Sequence, residues 1–172
     1  MAQLAVVPET IDRYVGTVVG ESTSREFRLA VAHETIREQD IIAVDAQLRS
    51  RDGGSPQPIH IWAKVQRIER LNPLFPIEAG HELAATGTNP LDTVLSLSRE
   101  MVTAVCQVLG WETAGARNGG KLEHLRYPAQ PATAAYRPTS DDIARIVLGD
   151  LGQKRHRALD IATLFNNDDV DV

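Results

Sequence analysis

Residues 59–66 constrain the fold more tightly than any other stretch of this chain. Ile59, Ile61, Ala63 and Val65 alternate strictly with His60, Trp62, Lys64 and Gln66. A period of two gathers the apolar set on one face of a strand, whereas a helix would scatter it around its axis. That face has to be covered, and a lone hairpin cannot cover it, so a sheet of several strands is required.

Other segments supply those strands. Residues 13–20 are β-branched and aromatic, with Gly16 and Gly20 as bend or bulge points. Glu21-Ser22-Thr23-Ser24 reads as a turn. Residues 25–32 form a second strand, with Phe27, Leu29 and Val31 on one face and Glu26, Arg28 and Ala30 on the other. These two strands make a hairpin. Residues 41–46 are a third, mostly buried strand. Residues 50–58 are turn chemistry throughout, led by Asp52-Gly53. Residues 101–109 are apolar on both faces, which marks a central strand. Gly115, Asn118, Gly119 and Gly120 define a mobile hairpin loop over 112–120, with 121–127 pairing back. A Pro-rich connector follows at 128–135. Thr139 or Ser140 caps a helix that runs to about Gly149, with Asp141 and Asp142 in its favourable first turn and Ile143, Ile146, Val147 and Leu148 on its apolar side. Leu159, Ile161 and Leu164 suggest a last short strand and turn.

Between Arg70 and Arg99 the character changes: there is no Lys or Arg, and Pro73, Pro76, Gly80, Gly87 and Pro90 punctuate the run. Residues 71–100 are therefore expected to leave the sheet as an inserted excursion, closing with a short helix over 91–99. Long excursions of this kind tend to be functional. The expected fold is mainly β: a small closed barrel of six or seven strands with one or two short helices. Closure removes the exposed edges that an open sheet of this size would carry. The expected division is a flexible N-terminus over 1–12, the barrel over 13–165 and an acidic tail over 166–172.

Composition narrows the function. Eighteen Lys and Arg against 23 Asp and Glu give a net charge of −5, which disfavours a free-standing nucleic-acid binder held by phosphate contacts. The single cysteine excludes an intrachain disulfide and any multi-cysteine zinc site. The start lacks a basic, apolar leader, and no apolar run approaches the ~20 residues a membrane span needs. A cytoplasmic protein with no membrane partner is expected.

No catalytic set assembles from the motifs. Gly115, Gly120 and Lys121 have the spacing of a phosphate-binding loop, but Leu122 stands where the magnesium-binding hydroxyl belongs, and an ordinary hairpin turn is preferred. His33, His60, His81, His124 and His156 are scattered, and Glu78 with His81 alone makes no metal site. Cys106 lies inside an apolar strand and reads as a small buried hydrophobe. No Gly-x-Ser-x-Gly elbow is present. No catalytic residue, cofactor or metal is assigned to this chain.

Two surface features remain. Lys154, Arg155 and Arg157, with His156 between them, form a dense basic patch that could touch phosphate, although a solvated turn is preferred. Trp62 alternates onto the polar face of its strand, and Leu71, Leu74, Phe75 and Ile77 sit in a proline-punctuated stretch. Such positions suit an interface with a partner or a second copy. Equally, the stretch could fold back over one end of the barrel.

Taken in order, several segments resemble the amino-terminal barrel, the HAS barrel, of HerA-type ATPases, the hexameric DNA translocases. The run from Val15 through Gly16-Thr17-Val18-Val19-Gly20-Glu21-Ser22-Thr23 to Glu26-Phe27 is similar to the family's opening. Val105-Cys106-Gln107-Val108-Leu109-Gly110 looks like its penultimate long strand. Tyr127-Pro128-Ala129-Gln130-Pro131 and Ala135-Tyr136-Arg137-Pro138 resemble its proline-rich passage, and Leu159 to Phe165 its closing turn, with Ala162 where the family has glycine. Residues 71–100 then correspond to a variable insertion.

The resemblance implies a non-catalytic assembly and docking domain on one face of a hexameric motor. Its partner would be a NurA-like nuclease in DNA end processing, or a sirtuin-like or other effector in antiphage defence. DNA, ATP and magnesium would be handled by a nucleotide core beyond residue 172, toward which the acidic tail leads, so this chain alone is not expected to be an enzyme. The alternative is a free-standing oligonucleotide-binding barrel. Such barrels want a basic groove with stacking aromatics, and here aromatic residues make up 5%.

Overall fold

The computed structural model describes residues 13–32, 35–48, 54–72, 77–87, 101–115 and 121–149, and the backbone of 163–164 and 167–171. Six strands are hydrogen-bonded into a closed antiparallel barrel: β1 (Tyr14–Ser22), β2 (Glu26–Val31), β3 (Ile41–Leu48), β4 (Gln57–Leu71), β5 (Met101–Thr113) and β6 (Ala134–Tyr136). Their order around the barrel is β1-β2-β5-β4-β3-β6, with β6 returning to β1. Two helices are described, α1 (Ile77–Thr86) and α2 (Ser140–Leu148). A separate two-stranded pair joins β7 (Thr163–Leu164) to β8 (Asn167–Asp171), which lies within the tail read from sequence as an acidic linker. Among the described residues, no helix is long and apolar enough to cross a membrane.

The alternation over 59–66 becomes the barrel interior. Ile59, Ile61, Ala63 and Val65 are buried, and meet Phe27 and Leu29 of β2 and Ala104 and Cys106 of β5. Each larger aliphatic side chain so buried contributes roughly 1.5–3 kcal/mol relative to exposure. Two bulges bend the β4–β5 ribbon. Trp62 pairs with Gly110 but Ala63 with Val108, leaving Leu109 as the extra residue; Val65 pairs with Cys106 but Arg67 with Val105, leaving Gln66 extra. A bulge reverses the inward–outward parity of the residues beyond it. Inward residues on β4 are therefore odd-numbered up to Val65, after which Ile68 packs against the core. On β5, Val108 and then Trp111 pack inward. The expected bend at Gly20 is also present, inside the β1–β2 register shift between Val19 and Ser22.

Closure rests on β6, three residues long. It pairs with β1 through Tyr136, Ala135 and Ala134, and with β3 through Tyr136 and Ala135. Just beyond it, the Arg137 N–H donates to the Arg13 carbonyl, and its guanidinium bonds the Thr35 carbonyl. Thr139 caps α2 by accepting from the Asp142 N–H, and the Gly149 N–H closes the other end on the Arg145 carbonyl.

The structure departs from the sequence reading in the excursion, near residue 112, and at Ala134–Tyr136, which pairs as β6 where the connector over 128–135 was expected to lead straight to the helix. β4 continues to Leu71 and is followed by α1 over Ile77–Thr86, where irregular chain was expected; the helix expected over 91–99 lies outside the described residues. The reason is local: after Pro76, the segment from Ile77 to Thr86 contains no proline, its one glycine, Gly80, is tolerated within the helix, and the next breakers come only at Gly87 and Pro90. β5 runs on to Thr113, past the expected start of the loop. Among the described residues, the segment 121–127 pairs back only through the bridge Trp111↔Glu123.

Candidate functional site

Register assembles a polar site on the outside of the barrel. Across β3, β4 and β5, Asp45 stands opposite His60, and His60 opposite Glu112. One step along, Tyr136, Ala43, Trp62 and Gly110 form a second row across β6, β3, β4 and β5. α2 lies over these rows, packing Ile143 against Ile41, Ala43 and Trp62. A pocket of about 220 Å³ remains, lined by the side chains of His60, Trp62, Glu112, Tyr136, Asp142 and Arg145 together with Gly115 and Pro138.

Two networks share this pocket. In the first, His60 Nδ1 lies 2.7 Å from Asp45 Oδ1, the Tyr136 O–H donates to the same oxygen at 3.0 Å, and Tyr136 O is 2.7 Å from His60 Nδ1. The His60 and Tyr136 rings meet edge to face, centroids 6.1 Å apart. With Asp45 ionised, the short Nδ1 contact requires a proton on Nδ1, so that in the neutral imidazole the lone pair is on Nε2. The hydrogen bond from His60 holds the Asp45 carboxyl below its ordinary value, with Tyr136 assisting against the opposing effect of burial. Burial, then the charge of Asp45, pushes the Tyr136 phenol up, so it stays neutral and is no base or nucleophile near pH 7.

In the second network, Glu112 is 3% exposed yet fully partnered. It accepts from Arg145 at 2.7 Å on each oxygen and from Trp62 Nε1 at 3.2 Å. The Arg145 guanidinium also sits 5.9 Å from the Trp62 ring centroid and 3.5 Å from Asp142 Oδ1. The Glu112 carboxylate holds that guanidinium more firmly charged. No buried side-chain nitrogen or oxygen lacks a partner among the described residues.

The residues singled out from sequence fare unevenly. Trp62 is a correction: it is 3% exposed and sealed beneath α2, so it is not an open interface residue. It does lie on the outer face of its strand, but that face is covered. Leu74 and Phe75 lie outside the described residues, as do Lys154, Arg155 and Arg157; Ile77 opens α1, and its backbone alone is described. Leu71 is 59% exposed and pairs with Met101, 51% exposed, at the far end of the β4–β5 ribbon. Cys106 is buried in the core, and burial pushes its thiol up to about 12. The loop-like spacing from Gly115 to Lys121 runs through residues 116–120, which lie outside the described residues. Among the described residues no group of three His, Cys, Asp or Glu is placed to hold a metal ion.

Sequence reasoning missed Asp45, Glu112, Tyr136 and Arg145. A signal existed for two of them. Glu112 follows directly on an apolar strand, and Arg145 interrupts the apolar side of α2 between Ile143 and Ile146. Charges set into apolar faces commonly find partners. No protein-family model matches the chain, and no curated protein matches it.

Proposed function

We propose that this barrel is the non-catalytic assembly and partner-docking module of a HerA-like hexameric DNA-translocating ATPase. On this reading it recruits a nuclease or other effector in DNA end processing or antiphage defence. The observation that carries it is where the resembling segments fall. The Val15–Phe27 run spans β1, its turn and the start of β2; the 105–110 segment lies in β5; Ala135 and Tyr136 lie in β6, the strand that completes the ring. The variable insertion leaves from one end of the β4–β5 ribbon, where it disturbs no barrel pairing. An excursion so placed can change without disturbing the core and can carry partner specificity. Leu71 and Met101, exposed at its root, lead toward Leu74, Phe75 and Ile77, the residues proposed to meet the partner. ATP and magnesium are assigned to a separate nucleotide core.

The test is the mass, by light scattering, of the protein as its gene encodes it, alone and with the product of the neighbouring gene. A hexameric ring that takes up that product, and loses it on Phe75→Ala, is the expected result. A monomer that binds no neighbouring product sinks the proposal. Tight, salt-sensitive binding of a single-stranded oligonucleotide by the barrel alone would transfer the assignment to the oligonucleotide-binding alternative.

A further inference from the structure

The pocket beneath α2 spends most of its donors on its own acidic residues and keeps some acceptor capacity. The Tyr136 O–H and His60 Nδ1–H both end on Asp45. The Trp62 N–H ends on Glu112, and the Arg145 guanidinium is shared between Glu112 and Asp142. The Tyr136 oxygen also meets His60 Nδ1 at 2.7 Å, and Asp142 Oδ2 accepts from the Thr139 hydroxyl at 2.7 Å. The acceptor capacity left toward the pocket is Nε2 of the neutral His60 ring and the remaining lone pairs of the Asp142 carboxylate, whose side chain is 43% exposed. Two carboxylates, of Glu112 and Asp142, line the space against the guanidinium of Arg145, and a third, of Asp45, stands bonded to the lining residues His60 and Tyr136. An anion is disfavoured there, because Asp141 and Asp142 already occupy the first turn of α2, where its dipole would otherwise attract one. The walls include the Trp62 and Tyr136 rings, and Trp62 already holds a guanidinium near its ring. At about 220 Å³ the space suits a small charged head with a short aliphatic stem; drug-sized ligands need roughly 300–1,000 Å³.

We infer that this pocket binds a monocationic head carrying N–H donors, a guanidinium or primary ammonium on a short aliphatic stem, which donates to Asp142 and His60 and lies against Tyr136. Two sources present such a head: a free small amine or guanidine, and an Arg or Lys side chain of another protein. The inference does not depend on the barrel belonging to a translocase.

The experiment is an NMR titration of the folded chain with methylguanidinium chloride at millimolar, non-denaturing concentration, following the Trp62 indole N–H and the Gly115 amide. Saturable shifts at both are expected. N-methylurea has the shape without the charge, and tetramethylammonium has the charge without donors; each is expected to bind at least about tenfold more weakly. Asp142→Asn and His60→Gln are each expected to weaken methylguanidinium about fivefold or more. Asp142 is partly exposed and its N–H still reaches Thr139 in the variant, so Asp142→Asn carries the test even if His60→Gln fails to fold. Absence of saturation, equal binding of N-methylurea, or an Asp142→Asn variant that binds like the parent would each overturn the inference. A blocked Gly-Arg-Gly peptide separates the sources. Tighter binding of the peptide than of methylguanidinium supports a protein side chain; exclusion of the peptide while methylguanidinium binds supports a free small cation.

Discussion

Arg145 and Glu112 meet as a two-point ion pair, 2.7 Å at each contact, across the junction between α2 and β5. The carboxylate is buried and the guanidinium side chain about one-fifth exposed, at 19%. Removing one partner strands a charge away from water, which is far more damaging than removing both. Arg145→Met is therefore expected to destabilise the fold by about 3 kcal/mol. The double variant Arg145→Met, Glu112→Leu should recover most of that loss. Urea unfolding of the three proteins measures both changes.

Trp62 lies beneath α2, with its N–H on Glu112. Trp62→Ala is expected to cost about 3–5 kcal/mol, as truncation of a packed aromatic does. An exposed interface tryptophan would instead change monomer stability by less than about 0.5 kcal/mol. Denaturant unfolding of the variant decides between the two.

Gly16 and Gly20 are both on β1 but are glycine for different reasons. A Cβ at Gly16 would overlap the Ala30 carbonyl oxygen of the neighbouring strand, while at Gly20 the space is open and φ is +64°. Gly16→Ala forces the backbones apart and is expected to cost about 3 kcal/mol. Gly20→Ala meets only the left-handed penalty of about 1–2 kcal/mol. Thermal unfolding should rank them in that order.

The Asp45 carboxyl titrates lower in the folded barrel than its ordinary 3.8, through the hydrogen bonds from His60 and Tyr136. A carboxyl depressed on folding adds stability above the unfolded value and loses it as pH falls through the folded one. Below about pH 5 the margin of the parent over Asp45→Asn should therefore shrink as the pH falls through 3.8. The Asp45 side chain is 58% exposed, so the margin should stay under about 1 kcal/mol. Urea midpoints across that range provide the check, and a margin that grew on acidification would contradict the assignment.

Cys106 is buried, and its thiol is raised to about 12 chiefly by burial, then by the charge of Glu26. The thiolate is the reactive species. Native protein at pH 8 should react with an aromatic disulfide reagent orders of magnitude more slowly than unfolded protein. Stopped-flow absorbance in buffer and in denaturant makes the comparison.

Much of the barrel was legible in the residues. Ile59, Ile61, Ala63 and Val65 announce a covered strand, Phe27 and Leu29 its neighbour, and Thr139 with Asp141 and Asp142 the start of α2, because each signal is local and periodic. The extents were less legible. β4 outruns its clean alternation because the bulge at Gln66 changes parity, so the same strand no longer looks periodic. α1 was hidden by the prolines and glycine that flank it and by Gly80 within it.

The site was scarcely legible. Asp45, His60 and Glu112 become neighbours only through strand register, Tyr136 joins them only because β6 closes the ring, and Arg145 arrives from a helix packed on the outside. By itself the sequence determined where five of the six barrel strands lie, which of their faces are apolar, and where one helix begins, since those follow from side-chain period and capping within a few residues. Only the tertiary structure decided that the outer face at Trp62 is covered and that Asp45, Glu112 and Asp142 gather around His60, Tyr136 and Arg145. Those outcomes depend on contacts between residues far apart in the chain, whose pairing no local pattern encodes.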